Sequence, residues 1–169
     1  MAAFSIVSGY GESMLKGVVT HILLVDARTI SRFGLRALVE GESDLRLVGE
    51  VADVREAPAR TAPLSPHVVV FDGHSDTAHT ARMLRWLAAH PMDERPNVLA
   101  LIDDFDGEGR QLLEGGVRGV LLSRSTPEEI VAAIRMVAAG YRLLIPFTCE
   151  EPADTAADWW TKRRQTVRM

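Results

Sequence analysis

Acidic residues follow three apolar runs of this sequence, at the point where each run ends. Asp26 comes after Ile-Leu-Leu-Val, Asp72 after Val-Val-Val-Phe, and the pair Asp103 and Asp104 after a run that closes at Ile102. Charges are poorly tolerated just inside buried strands, and ligands of open parallel sheets collect at the carboxyl ends of the strands. These acids are therefore candidates for a polar binding or reactive site at one edge of a sheet. The competing interpretation is that each acid begins a solvated loop.

Strand and helix patterns alternate along the chain and would bring these acids to one edge. Short apolar runs predict strands at residues 19–26, 45–51, 67–72, 97–102 and 117–122. Helical spacing predicts helices at residues 29–40, 52–60, 77–89 and 107–115, and a last helix that begins after Thr126 and stops at Gly140. This alternation is typical of βαβ units, so we expect an α/β fold with a parallel sheet and helices on both faces.

Composition narrows the classes of protein further. The chain has 169 residues, 47% of them hydrophobic and 25% charged, which is typical of one globular domain. It lacks an apolar run long enough to span a bilayer and a secretory signal pattern, so we expect a cytoplasmic protein. The single cysteine, Cys149, excludes a disulfide framework, and the five histidines are too scattered to predict a metal site. A net charge of −4 argues against binding nucleic acid by bulk charge.

Several stretches together resemble the receiver domain of two-component response regulators of the NarL/FixJ type. They are residues 21–26 (HILLVD), 32–38 (RFGLRAL), 47–53 (LVGEVAD), 66–72 (PHVVVFD), 115–122 (GGVRGVLL) and 126–135 (TPEEIVAAIR). The resemblance implies a flavodoxin-like (βα)5 three-layer sandwich with a five-stranded parallel sheet of order 2-1-3-4-5. It also divides the chain into an N-terminal extension (1–18), a receiver-like domain (19–146) and a C-terminal tail or linker (147–169) too short for a DNA-binding domain.

The resemblance implies a chemistry, acyl-phosphate formation on an aspartate, with a part for each of several side chains. Asp72 matches the phosphoacceptor, and Asp26 matches one of the two acids that hold Mg²⁺ in the family. Ala27 stands where the second acid is expected, and Ser123 where the family has a lysine. The hydroxyl that contacts the phosphoryl group in the family falls at Ile102.

These departures all weaken phosphorylation. Fewer anionic ligands weaken Mg²⁺ binding, and losing one charge-stabilising contact at a reacting centre can cost about 10²–10³ in rate. Asp103 or Asp104 could supply oxygen to a metal, and Arg28 or Arg124 could supply positive charge. For each arginine, however, the favoured interpretation is a solvated loop residue. We therefore expect an atypical receiver, a pseudo-receiver without enzymatic activity, resident metal or cofactor, and with an acidic pocket formed by Asp26, Asp103 and Asp104.

Two other functions remain open at this stage. One is a conventional Mg²⁺-dependent phospho-receiver that accepts phosphate on Asp72. The other is a flavin-binding protein of the same architecture, which is disfavoured because the loop after Asp26 lacks a phosphate cradle. For an atypical receiver the resemblance implies a homodimer in transcriptional regulation, with a small-molecule ligand or a regulatory protein as a further partner. Contact with DNA would require an output domain, or the Trp- and Arg-rich segment after Asp158.

Overall fold

Six parallel strands form one sheet in the order β2-β1-β3-β4-β5-β6. The computed structural model describes residues 18–73 and 76–145. The strands are β1 (Thr20–Val25), β2 (Leu45–Val51), β3 (Val68–Asp72), β4 (Asn97–Ile102), β5 (Gly119–Leu122) and β6 (Leu143–Ile145). The helices are α1 (Thr29–Glu40), α2 (Ala57–Leu64), α3 (Thr77–Ala89), α4 (Arg110–Glu114) and α5 (Pro127–Ala138). The predicted parallel α/β fold is confirmed, and β6 extends the predicted order by one strand.

Helices cover both faces of the sheet, so its strands are apolar on both sides. In β3 every residue is buried, and alternate side chains enter two separate cores. One core includes Leu35 and Val39 of α1 together with the inward face of α5. The other packs α2, α3 and α4 on the opposite face, with Trp86 and Leu112 among its members. This is the three-layer arrangement that the resemblance implies.

Local signals explain the helix that follows β5. Thr126 caps α5 by accepting a hydrogen bond from the backbone N–H of Glu129, and the Glu129 side chain accepts one from the backbone N–H of Thr126. Pro127 occupies the first turn, where its missing N–H leaves no donor unsatisfied. The helix ends before Gly140, whose φ of 88° is a conformation that favours glycine. The predicted start and stop of this helix are therefore confirmed.

Two predicted helices differ from those observed. Residues 52–60 were expected to be helical, but the Asp53 carboxylate accepts a hydrogen bond from the Arg55 backbone N–H and starts a single 3₁₀ turn, Val54–Glu56, before α2 begins. Residues 107–115 form a π-helical turn (Phe105–Gly109) followed by the short α4. A third turn, Met92–Glu94, is 3₁₀ and precedes β4.

Arg135 of α5 ties distant parts of the chain together. Its guanidinium donates two hydrogen bonds to Asp44, at 2.8 and 2.7 Å, and one to Glu42 at 2.7 Å. Hydrogen bonding to Arg135 holds the pKa of Asp44 below its usual value. The loop between α1 and β2 is thereby fixed to the last helix of the domain.

The extension and the tail expected from the sequence, residues 1–17 and 146–169, lie outside the described residues. Within the described ranges, no helix has the length and apolarity needed to cross a bilayer.

Candidate functional site

The carboxyl ends of β1 and β3 bring two buried carboxylates to one edge of the sheet. Asp26 directly follows β1 and has no exposed surface, while Asp72 closes β3 and is 2% exposed. The residue before each acid, Val25 before Asp26 and Phe71 before Asp72, packs in the core on the α3 side of the sheet. Alternation therefore directs both acids toward the face that α1 covers.

Residues at the start of α1 contact both acids. The backbone N–H of Arg28 donates to Asp26 Oδ1 at 2.8 Å, and its guanidinium Nη2 donates to Asp72 Oδ2 at 3.4 Å. Ser31 Oγ donates to the same Asp72 oxygen at 3.3 Å. Arg28 thus bonds both carboxylates, and Asp72 is held by a cation and a hydroxyl that come from the loop and first turn of α1.

The Arg28 side chain is 55% exposed, whereas that of Asp72 is 3% exposed. One end of this ion pair therefore lies in solvent and the other in the protein interior. Arg32 strengthens the same loop by donating from Nη1 to the Asp26 carbonyl oxygen at 2.6 Å. The positive charge of Arg28 therefore partly balances the negative charges of Asp26 and Asp72.

Two of the three positions at which the sequence departs from the family pattern, Ala27 and Ser123, lie just after strands that end at this edge of the sheet. Ala27 is exposed and lies in the loop between β1 and α1, directly after Asp26. Ser123 follows β5 and is half-buried, and its backbone N–H donates to the Ile102 carbonyl at 2.7 Å. Its Oγ is buried and makes no hydrogen bond within residues 18–73 and 76–145. A short neutral side chain therefore ends β5 at the edge where Asp26 and Asp72 lie.

Ile102 is not brought to the carboxylates. Its side chain is fully buried and packs in the core on the α3 side, next to Phe105 and Gly109. Alternation along β4 places position 103, rather than 102, on the same face of the sheet as Asp72. Asp103 and Asp104, the other two members of the expected acidic pocket, are both exposed, whereas Asp26 is buried. Asp104 is engaged locally, since its Oδ1 accepts a hydrogen bond from the Asp106 backbone N–H at 3.2 Å.

The described residues at this edge supply only part of a magnesium site of the family's kind. Mg²⁺ requires several oxygen ligands in near-octahedral geometry. Ala27 offers no ligand, and a guanidinium already lies against Asp72. Among the described residues, no group of three or more His, Cys, Asp or Glu side chains could hold a metal ion.

Comparison with known proteins identifies the family. The transcriptional regulatory protein UhpA of Salmonella typhimurium is 31% identical over 146 residues, which cover 86% of this chain and 72% of UhpA. The chain belongs to the NarL/LuxR family of response regulators. No protein-family model matches the chain.

Solved structures of response regulators agree with this family and with the fold. A LuxR-family two-component response regulator from Aurantimonas is 27% identical with a TM-score of 0.62, covering 86% of this response regulator and 98% of that chain. The receiver domain of the response regulator NarL from Mycobacterium tuberculosis has a TM-score of 0.65 at 23% identity, over 73% and 98% of the two chains, and supports the fold alone. The matched part covers 72% of UhpA of Escherichia coli and 55% of the transcriptional regulatory protein YxjL of Bacillus subtilis.

Two contacts at the site were outside the reach of sequence reasoning. The sequence offers Arg28 as a source of positive charge but gives no reason to prefer it over Arg124, which is exposed in the loop after β5. Ser31 carried no signal at all, because a serine in the first turn of a helix is common. Their contacts with Asp72 depend on how α1 of this response regulator crosses the end of β3.

Proposed function

We propose that this response regulator is an atypical receiver module in transcriptional regulation, and that it acts largely independently of phosphorylation at Asp72. The observation that carries the proposal is the engagement of Asp72, a buried carboxylate, by Arg28 and Ser31. In this arrangement Oδ2, one of the two Asp72 oxygens that could attack phosphorus, already accepts two hydrogen bonds. Its lone pairs are therefore less available, and the adjoining space is taken by a side chain.

Electrostatics supports the proposal. A phosphoryl group on Asp72 would carry about −1.5 to −2 charges, in place of the single negative charge of the carboxylate, beside Asp26, which is fully buried. Ala27 and Ser123 supply neither the second metal ligand nor the ammonium that would offset this charge. Position 103, on the face of Asp72, carries a further carboxylate instead of a hydroxyl. Like charges oppose one another strongly where both are buried, as Asp26 and Asp72 are.

Regulation would then come from association rather than from phosphate. Two large apolar side chains of α1, Ile30 and Phe33, are 88% and 66% exposed. Exposed apolar surface of this kind is typical of protein contacts. We propose a homodimer, with a small molecule or a regulatory protein as a further partner, and contact with DNA through an output domain of the kind found in regulators of this family. No cofactor is required by this mode of action.

A labelling experiment tests the proposal directly. The full chain is incubated with acetyl phosphate or phosphoramidate and Mg²⁺, and intact-mass spectrometry measures the added phosphoryl group. We expect labelling far below stoichiometric, equal to that of Asp72→Ala. Stoichiometric labelling that is lost in Asp72→Ala would instead establish a conventional phospho-receiver.

A matched gain-of-function variant shows that the assay can detect a receiver on this scaffold. Ala27→Asp with Ser123→Lys adds a metal ligand and an ammonium beside Asp72. We expect labelling of this variant to exceed that of the wild type by about 10²-fold or more, since each contact is worth about 10²–10³ in rate. Equal labelling of the two proteins would contradict the electrostatic reasoning.

A further inference from the structure

A second carboxylate, on the α3 side of the sheet, also lies beside the end of β3. Glu108 belongs to the π-helical turn Phe105–Gly109 and accepts a hydrogen bond from Thr80 Oγ of α3. Thr80 is 4% exposed, so this hydrogen bond is shielded from water on its α3 side. A contact between residues 28 positions apart therefore joins the turn after β4 to the helix after β3.

Gly73 makes room for this contact. A Cβ atom at position 73 would overlap the Glu108 carboxylate, so a side chain at this position would displace Glu108. The Gly73 backbone is itself fixed, because its N–H donates to the Leu101 carbonyl of β4 at 3.1 Å. The glycine next to Asp72 thus forms a notch that receives a carboxylate from the neighbouring turn.

The rest of the turn is closely packed as well. Gly109 is buried, and a Cβ there would meet Ile102 Cδ1 and the Phe105 ring. Asp104 caps the start of the turn through the Asp106 backbone N–H. Single π-helical turns occur frequently at functional sites. Here the turn has three anchors: a capped start, a carboxylate seated over Gly73 and a packed end.

We infer that Glu108 is a positioning residue that fixes the 105–109 turn to α3 through Thr80, whatever the chemical state of Asp72. The Asp72 carboxylate is bound from the α1 side by Arg28 and Ser31, whereas Glu108 is bound from the α3 side. The contacts described for the two carboxylates therefore come from opposite faces of the sheet. This inference rests on the proposed function, to which it adds a reason: the turn beside the site is held by an internal tie and needs no phosphoryl group to order it.

Hydrogen–deuterium exchange of the full chain tests the tie. Thr80→Val keeps the shape of the side chain and removes the hydroxyl, and Thr80→Ser keeps the hydroxyl as a matched control. We expect Thr80→Val to raise exchange in peptides over residues 103–114 by about tenfold or more, because hydrogen bonds to charged groups are among the stronger ones. Thr80→Ser should remain within about threefold of the wild type, as should peptides over α1 in every variant.

Glu108→Ala is the second variant if Thr80→Val does not fold, since Glu108 is partly exposed and its loss removes the same hydrogen bond. Unchanged exchange at 103–114 in the variant that folds, or a rise shared equally by every peptide, would overturn the inference.

The independence from Asp72 is tested by Asp72→Ala, for which exchange at 103–114 should match the wild type. A change of about tenfold there would refute that independence. Labelling of Asp72 by a phosphodonor would defeat the proposed function alone, because the Thr80 comparison uses no donor.

Discussion

The pairing of Arg28 with Asp72 leads to a quantitative prediction. At 3.4 Å, two unit charges attract by about 5 kcal/mol for an effective dielectric constant of about 20. The Arg28 side chain is 55% exposed, so solvent screening and side-chain entropy remove much of that energy. We therefore expect a net coupling of about 1 kcal/mol between the two side chains, at the upper end of values for exposed pairs.

The measurement is a double-mutant cycle with urea. Wild type, Arg28→Met, Asp72→Asn and the double variant are unfolded at neutral pH, and the coupling is the non-additive part of the free energy of unfolding. For a slope of about 2 kcal/mol per molar urea, 1 kcal/mol corresponds to a midpoint shift of about 0.5 M. The coupling should fall when the salt concentration is raised, since one partner lies in solvent.

Arg124→Met is the matched control, because Arg124 is also an exposed loop arginine at the carboxyl end of a strand. We expect it to change the free energy of unfolding by less than about 0.5 kcal/mol. A coupling between Arg28 and Asp72 within about 0.3 kcal/mol of zero, or one of opposite sign, would refute the argument that Arg28 is the counter-ion of Asp72.

Three further predictions concern other parts of the domain. Thr126→Ala should lower the free energy of unfolding by about 1 kcal/mol through loss of the α5 cap, while Thr126→Ser should lower it by much less, as urea unfolding will measure. Hydrogen bonds from Arg55 lower the pKa of Asp53 to about 2; the carboxylate therefore stabilises the fold above its unfolded pKa of about 3.9 and loses that effect as pH falls toward 2. The stability difference between wild type and Asp53→Asn should accordingly shrink between pH 5 and pH 2, and a difference independent of pH would contradict this assignment. Phe33→Asp should convert the proposed homodimer to a monomer in light scattering coupled to size-exclusion chromatography, and an unchanged mass would show that α1 is not its interface.

Where the local sequence pattern is strong, both the type of a secondary-structure element and its first and last residues could be predicted. The helix at Thr29–Glu40 and the strand at Leu45–Val51 match their predicted limits, because periodicity and flanking residues act within each segment. The strand β6 was missed, since three residues carry little pattern and its existence depends on pairing with β5. Only residues 107–109 of the turn Phe105–Gly109 fall within the helix predicted at 107–115, because glycine and acid content does not distinguish a π-helical turn from a weak α-helix.

The sequence predicted the two carboxylates of the site, but not the side chains that contact them. Asp26 and Asp72 follow apolar strands, and a parallel sheet necessarily brings such positions to one edge. The face on which a side chain lies depends on a register of period two, so a shift of one residue separates Ile102 from position 103. The contacts of Arg28 and Ser31 depend on the path of α1 over the sheet, and no spacing in the sequence encodes that path.

The hydrogen bonds from Arg135 to Glu42 and Asp44 have a consequence for the order in which the domain folds. Glu42 and Asp44 are two acids on one short loop, and they meet their cation only when a helix 91 residues beyond Asp44 has docked. Closing so long a loop is entropically costly and slow, and the gain in contact energy comes only after closure. We therefore expect α5 to dock onto the loop between α1 and β2 late in folding. In a nascent chain from which this helix has not yet emerged, Glu42 and Asp44 would repel each other without the compensating charge of Arg135.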